Sequence, residues 1–137
     1  MKQPLVPAMQ PQAVNSISAL GLAHMGDAVY DLLVRGMLIA LGDATCRHLH
    51  QDTTALVCAP AQAEAAERIQ PLLAEEERAV YRRGRNADVH SIPKNATRTQ
   101  YSRATGLEAL FGYLYLTGQQ ARLEELFAVI MEDYHAT

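Results

Sequence analysis

A chain of 137 residues that is 49% hydrophobic has enough material for one domain with a real core and too little for two of ordinary size. Its longest apolar stretch is broken by Asp27, Asp31 and Arg35, and MKQPLVPAMQPQ at the N-terminus lacks the apolar core of a secretory signal, so a soluble, intracellular, cytoplasmic protein without a membrane segment is expected. The net charge of −3, taken as a single number, speaks against a nucleic-acid partner. Cys46 and Cys58 lack a paired metal spacing and are expected as buried, reduced thiols; His48 and His50 beside Cys46 read as ordinary helix-surface residues.

Residues 1–15 hold three of the six prolines and no periodic pattern, which predicts an extended lead-in before a domain that runs from 16 to 137. Asn15 or Ser16 can cap a first turn. From 20 to 41, LGLAHMGDAVYDLLVRGMLIAL predicts one long helix, apolar around most of its circumference, that Gly42 ends. Asp43 or Thr45 is then expected to cap a helix over about 45–57, and Pro60 fits the first turn of the next, in which Glu64 and Arg68 stand at i, i+4. After Pro71, Ala74-Glu75-Glu76-Glu77 opens a short helix whose acids lie in the first turn and whose Arg82 and Arg83 lie in the last, an order that complements the helix dipole; Gly84 is expected as its C-cap. Residues 85–98 carry no periodicity and predict a loop, after which Thr99 can cap a helix containing TGLEALFGYLYLTG, 105–118. The last helix, ARLEELFAVIMEDY, aligns Leu123, Leu126, Phe127, Ile130 and Met131 on one face. No alternating run predicts a strand, so the fold class is all-α, a single domain of six or seven helices.

Two lone carboxylates stand out of this frame. In the 20–41 helix the polar residues His24, Asp27, Asp31 and Arg35 form one stripe; Asp31 and Arg35 can pair, which leaves Asp27 with only the like-charged Asp31 four residues on. In the 105–118 segment Glu108 is the single charged residue. If the two helices cross, Asp27 and Glu108 can offer oxygen ligands to one hard cation; capping of each acid by an arginine or a backbone amide is the structural alternative. The charge distribution also qualifies the net charge, because residues 78–103 hold seven of the twelve basic residues and one of the fifteen acids. Such a local excess suits an anionic polymer, although a basic segment can also be a solvated loop.

Gly26-Asp27-Ala28-Val29 resembles the core of the ribonuclease III signature helix, and Glu108-Ala109-Leu110-Phe111-Gly112-Tyr113-Leu114-Tyr115-Leu116 is similar to the second catalytic helix of that family. Between them, RGRNA at 83–87 and PKNA at 93–96 resemble the mini-ribonuclease III subfamily. The resemblance implies a ribonuclease III-like nuclease domain in which Asp27 and Glu108 are catalytic and bind magnesium, for which manganese can substitute, and in which Arg83, Arg85, Asn86, Lys94, Asn95 and Arg98 contact RNA. It further implies a homodimer, cleavage of double-stranded RNA, maturation of both ends of precursor 23S ribosomal RNA, and a ribosomal protein as a further candidate partner. The family site has four carboxylates, and here Ala23 and Thr105 stand at two of the four positions. No counterpart of the usual double-stranded-RNA-binding domain is expected after the last helix. The rival readings are a non-catalytic RNA-binding or ribosome-assembly module on the same fold, or a plain helical interaction protein; a retained pair of acids weighs against a pure phosphate-binding surface.

Overall fold

The computed structural model describes residues 5–42, 45–88 and 91–135. Seven α-helices and one 3₁₀ turn occur among them, and no strand, in agreement with the all-α reading: α1 (Pro11–Asn15), α2 (Ala19–Ala40), α3 (Cys46–Val57), α4 (Ala59–Ile69), the 3₁₀ turn (Gln70–Leu72), α5 (Glu75–Arg85), α6 (Arg98–Leu116) and α7 (Gln120–Ile130).

The molecule is assembled around α6, which packs against α2, α5 and α4. Leu107, Ala109, Leu110, Phe111 and Leu114 are completely buried, so that α6 has apolar contacts on nearly every side. Burying each large apolar side chain contributes about 1.5–3 kcal/mol relative to leaving it in water. Tyr30 of α2 meets Phe111 and Phe127 edge to face, with ring centroids 5.3 and 5.8 Å away, and so ties α2, α6 and α7 together.

Helix–helix distance is set by glycines. A methyl group at Gly26 would overlap the Glu108 carbonyl oxygen, and one at Gly112 would overlap the Leu22 carbonyl, so α2 and α6 touch backbone to backbone at their crossing. On the opposite side of α6, a Cβ on Gly84 would stand 2.7 Å from the Ala109 Cβ, and one on Gly106 would stand 2.8 Å from the Tyr81 ring. Gly84 is therefore not the expected C-cap. It lies buried inside α5, the helix ends at Asn86, and the glycine is there because α6 leaves no room for a side chain.

Other boundaries shift for identifiable reasons. α6 starts at Arg98, a full two turns before the apolar run, because Thr97 rather than Thr99 is its N-cap: the Gln100 amide nitrogen donates to the Thr97 hydroxyl, and the Thr97 nitrogen donates to the Gln100 side chain. Thr45 caps α3 and Gly42 ends α2 with a φ of 100°, as expected, whereas Asp43 lies outside the described residues. Ser18, not Asn15 or Ser16, caps α2. The lead-in is extended only in part. Residues 11–15 are helical, Val14 is fully buried, and the Met9 nitrogen donates to the Leu116 carbonyl at 2.8 Å, because Val14 has an apolar site to fill at the end of α6.

Arg68 donates to Asp133 at 2.8 Å instead of pairing with Glu64, tying α4 to the turn after α7. Glu77, 4% exposed, accepts two bonds of 2.9 Å from Arg122 and one from the Ala74 nitrogen. The Arg122 guanidinium holds the Glu77 carboxyl below the usual range. Cys46 and Cys58 are exposed thiols rather than buried ones, since α3 and the α3–α4 junction present them to solvent. No described helix is long and apolar enough to cross a membrane.

Candidate active site

The glycine contact between α2 and α6 decides where the two lone acids go. With Gly26 seated on the Glu108 carbonyl, Asp27 and Glu108 follow on the same side of the crossing, and their carboxyls come close enough to share a hydrogen bond. They line one cleft of about 360 Å³ together with Leu20, Ala23, His24, Val57, Ala59, Gln62, Pro93, Tyr101, Ala104 and Thr105. The cleft thus draws residues from α2, α4, α6, the α3–α4 junction and the loop before α6.

The two acids are not equivalent. Asp27 is exposed to the cleft, whereas Glu108 is mostly buried. Burial first, then the neighbouring Asp27 through a shared hydrogen bond and like charge, push the Glu108 carboxyl up to about 8 against the opposing pull of Gln62. Without a counter-charge, Glu108 therefore holds its proton near neutrality.

Among the described residues no arginine or backbone amide caps either acid, and no group of three His, Cys, Asp or Glu side chains converges on a metal-sized site. Asp31 instead pairs with Arg35 at 3.0 Å, as its spacing predicted. Ala23 and Thr105 do line the cleft beside Asp27 and Glu108, but Ala23 carries no ligand atom and the Thr105 hydroxyl donates to the Tyr101 carbonyl at 2.9 Å. One further polar atom is left over: Gln62 is 2% exposed and its Nε2 makes no hydrogen bond among the described residues. Such an orphaned donor costs about 1–3 kcal/mol. An acid pair in which one member keeps a proton, next to an unsatisfied buried amide, fits a divalent cation that takes two carboxylates and keeps several waters.

Of the six residues singled out for RNA contact, five face solvent and one is engaged with protein. Arg85, Asn86, Lys94, Asn95 and Arg98 are exposed. Lys94 and Asn95 follow Pro93, which lines the cleft, so this end of the loop reaches the rim. Arg98 is on the first turn of α6 rather than in the loop. Arg85 lies 5.9 Å above the Tyr81 ring and 3.5 Å from the Asn86 oxygen. Arg83 points elsewhere: it donates to the Ile17 carbonyl at 2.9 Å and lines a separate hollow with Asn15, Glu76 and Tyr113. Of the remaining loop, residues 89 and 90 lie outside the described residues. Gln62 and Tyr101 are cleft residues that the sequence did not reveal; a helix capped at Thr99 already contains Tyr101, but nothing local turns either side chain toward the acids.

The fold and the cleft together define an all-helical domain with a paired-carboxylate site at a glycine-mediated helix crossing. The Ribonuclease III domain model matches residues 20–119. The chain is 43% identical to Mini-ribonuclease 3 of Thermoanaerobacter sp. (strain X514), over 88% of this chain and 85% of the relative, and 46% identical to Mini-ribonuclease 3 of Enterococcus faecalis, over 82% and 86%. A crystal structure of a Fusobacterium nucleatum protein superimposes with a TM-score of 0.80 at 27% identity, covering 87% of this chain and 95% of that one. The chain therefore belongs to the ribonuclease III family, as an endoribonuclease of the mini-ribonuclease III group.

Proposed function

We propose that the cleft is the active site of a magnesium-dependent endoribonuclease for double-stranded RNA, with Asp27 and Glu108 as the catalytic, metal-holding pair. The observation that carries this reading is the meeting of the two acids on one side of the Gly26–Gly112 contact, with no cation paired to either among the described residues. Magnesium, or manganese in its place, supplies an activated water and charge stabilisation on the leaving oxygen when bound. The chain's own residues bind and orient. Asp27, exposed, faces incoming phosphate, while Glu108, mostly buried, lines the same cleft beside Gln62 of α4. Lys94 and Asn95 at the rim, with Arg85, Asn86 and Arg98 beyond it, can grip flanking phosphates, and recognition of A-form RNA then rests mainly on shape. Arg83 has the weakest claim to such a role because the Ile17 carbonyl already engages it.

The same proposal includes a homodimer. Leu32 and Ile39 of α2, seven residues apart and so on one face, are 68 and 61% exposed. A C₂ dimer of about 30 kDa, twice the 15.0 kDa chain, would cover this face and set two sites against the two strands of one duplex. Precursor 23S ribosomal RNA, trimmed at both ends in the cytoplasm with the help of a ribosomal protein, is the substrate that the family resemblance favours. The test is cleavage of precursor 23S RNA and of an unrelated duplex by the purified protein, with magnesium and with a chelator. Magnesium-dependent cuts on both strands near the mature ends support the reading; binding without cleavage overturns it.

A further inference from the structure

Gln62 is the one buried polar side chain in the cleft that the acid pair leaves unused. It projects from α4, a third helix, into the cleft beside Glu108, near enough to draw the Glu108 carboxyl down, yet its Nε2 is within hydrogen-bond distance of no partner among the described residues. A leucine or methionine would fill the same volume without leaving a donor unpaired, so packing alone gives no reason for an amide here. The neighbour in the cleft that can use this donor is the Glu108 carboxylate, to which no other described side chain donates.

We propose that Gln62 is a positioning residue: its Nε2–H donates to ionised Glu108 and holds that carboxylate in the orientation in which it shares a divalent cation with Asp27. The proposal rests on the reading of Asp27 and Glu108 as the metal-holding pair. α4 thereby becomes part of the metal site without touching the metal. An outer hydrogen bond of this kind fixes the rotamer of a ligand and typically changes metal affinity by about 10–100-fold.

The experiment is calorimetric titration of Mn²⁺ into wild type, Gln62→Leu, Gln62→Met and Asp27→Asn, combined with steady-state cleavage of duplex RNA and a melting temperature for each. For the Gln62 variants the expected result is a Kd for Mn²⁺ weaker by about 10–100-fold, a lower kcat with an unchanged KM for duplex, and a melting temperature equal to wild type or higher, because an orphaned donor has been removed. An unchanged Mn²⁺ affinity and kcat in a folded Gln62 variant, while Asp27→Asn loses the metal, would overturn the role of Gln62 alone. An Mn²⁺ affinity equal in Asp27→Asn and wild type would overturn the acid-pair reading and this proposal with it. Should leucine prevent folding, methionine retains the length and flexibility of glutamine and gives the same decision.

Discussion

At the α2–α6 crossing the backbone itself fixes the carboxylates, whereas in the segment from 78 to 103 the cations stand on long side chains, and three of them are already engaged with protein. Arg83 donates to the Ile17 carbonyl, Arg103 pairs with Glu67 at 3.2 Å, and Arg85 lies over Tyr81. The difference suits two kinds of chemistry. Catalytic groups need placement to a fraction of an ångström, which a glycine-to-backbone contact supplies, whereas phosphate contacts tolerate adjustment because each is one of many. The glycines in GDAV and LFGYL are therefore as much part of the site as the acids beside them.

The sharpest way to break this comparison is to remove an acid. Asp27→Asn or Glu108→Gln is expected to reduce single-turnover cleavage by about 10³-fold or more at saturating magnesium, with duplex binding and circular dichroism close to wild type. Cleavage within a few-fold of wild type would detach the acids from the chemistry. Moving the acids without changing them is the next largest effect. Gly26→Ala forces α2 away from the Glu108 carbonyl, so it should destabilise by about 1–3 kcal/mol and reduce cleavage by about 10²-fold in the fraction that remains folded. Activity per folded molecule equal to wild type would show that the spacing of the helices is not what sets the site.

A smaller effect lies in the pH dependence of stability in metal-free buffer. Folded Glu108 keeps its proton up to a pH of about 8, whereas in the unfolded chain it ionises near 4.5, so between these values the folded state binds more protons. Stability should then fall as pH rises through that window, by at most about 1.4 kcal/mol per pH unit, and level off above it. Magnesium should flatten the fall by favouring ionised Glu108, and Glu108→Gln should remove it. Denaturant melts at several pH values read this directly.

The smallest effect belongs to the basic segment. Arg85→Ala with Lys94→Ala should weaken duplex binding and lower the slope of log affinity against log salt by roughly one unit per lost contact, with little change in melting temperature. Arg103→Ala is the control. Its partner is Glu67, so it should leave the slope unchanged. An equal drop in slope for Arg103→Ala would mean that the segment has no division between scaffold and grip.

How much of this was legible in the chain follows the range of the interactions. The apolar runs of α2 and of the second half of α6 announce themselves by periodicity, and the two acids stand out because nothing else polar accompanies them. The polar first half of α6 has no apolar stripe in RTQYSRA, so its start rests on capping residues alone, and Thr97 with Gln100 forms the pair that Thr99 does not. Gly84 passes for a helix terminator until α6 is brought against it. Gln62 sits in an alanine-rich helix that reads as surface, and only the packing of α4 on α6 buries it. Arg68 has a plausible partner four residues away and its real one 65 residues on, a choice that no local pattern can make.

The central claim is that α2 and α6 meet in order to hold one divalent cation between Asp27 and Glu108. Anomalous diffraction from crystals soaked in manganese tests it most directly. The account predicts a peak within coordination distance of both carboxylates, about 2.0–2.2 Å from oxygen, which Asp27→Asn weakens or abolishes. A cleft without a peak in crystals that bind manganese elsewhere, or a peak unchanged by Asp27→Asn, would contradict it.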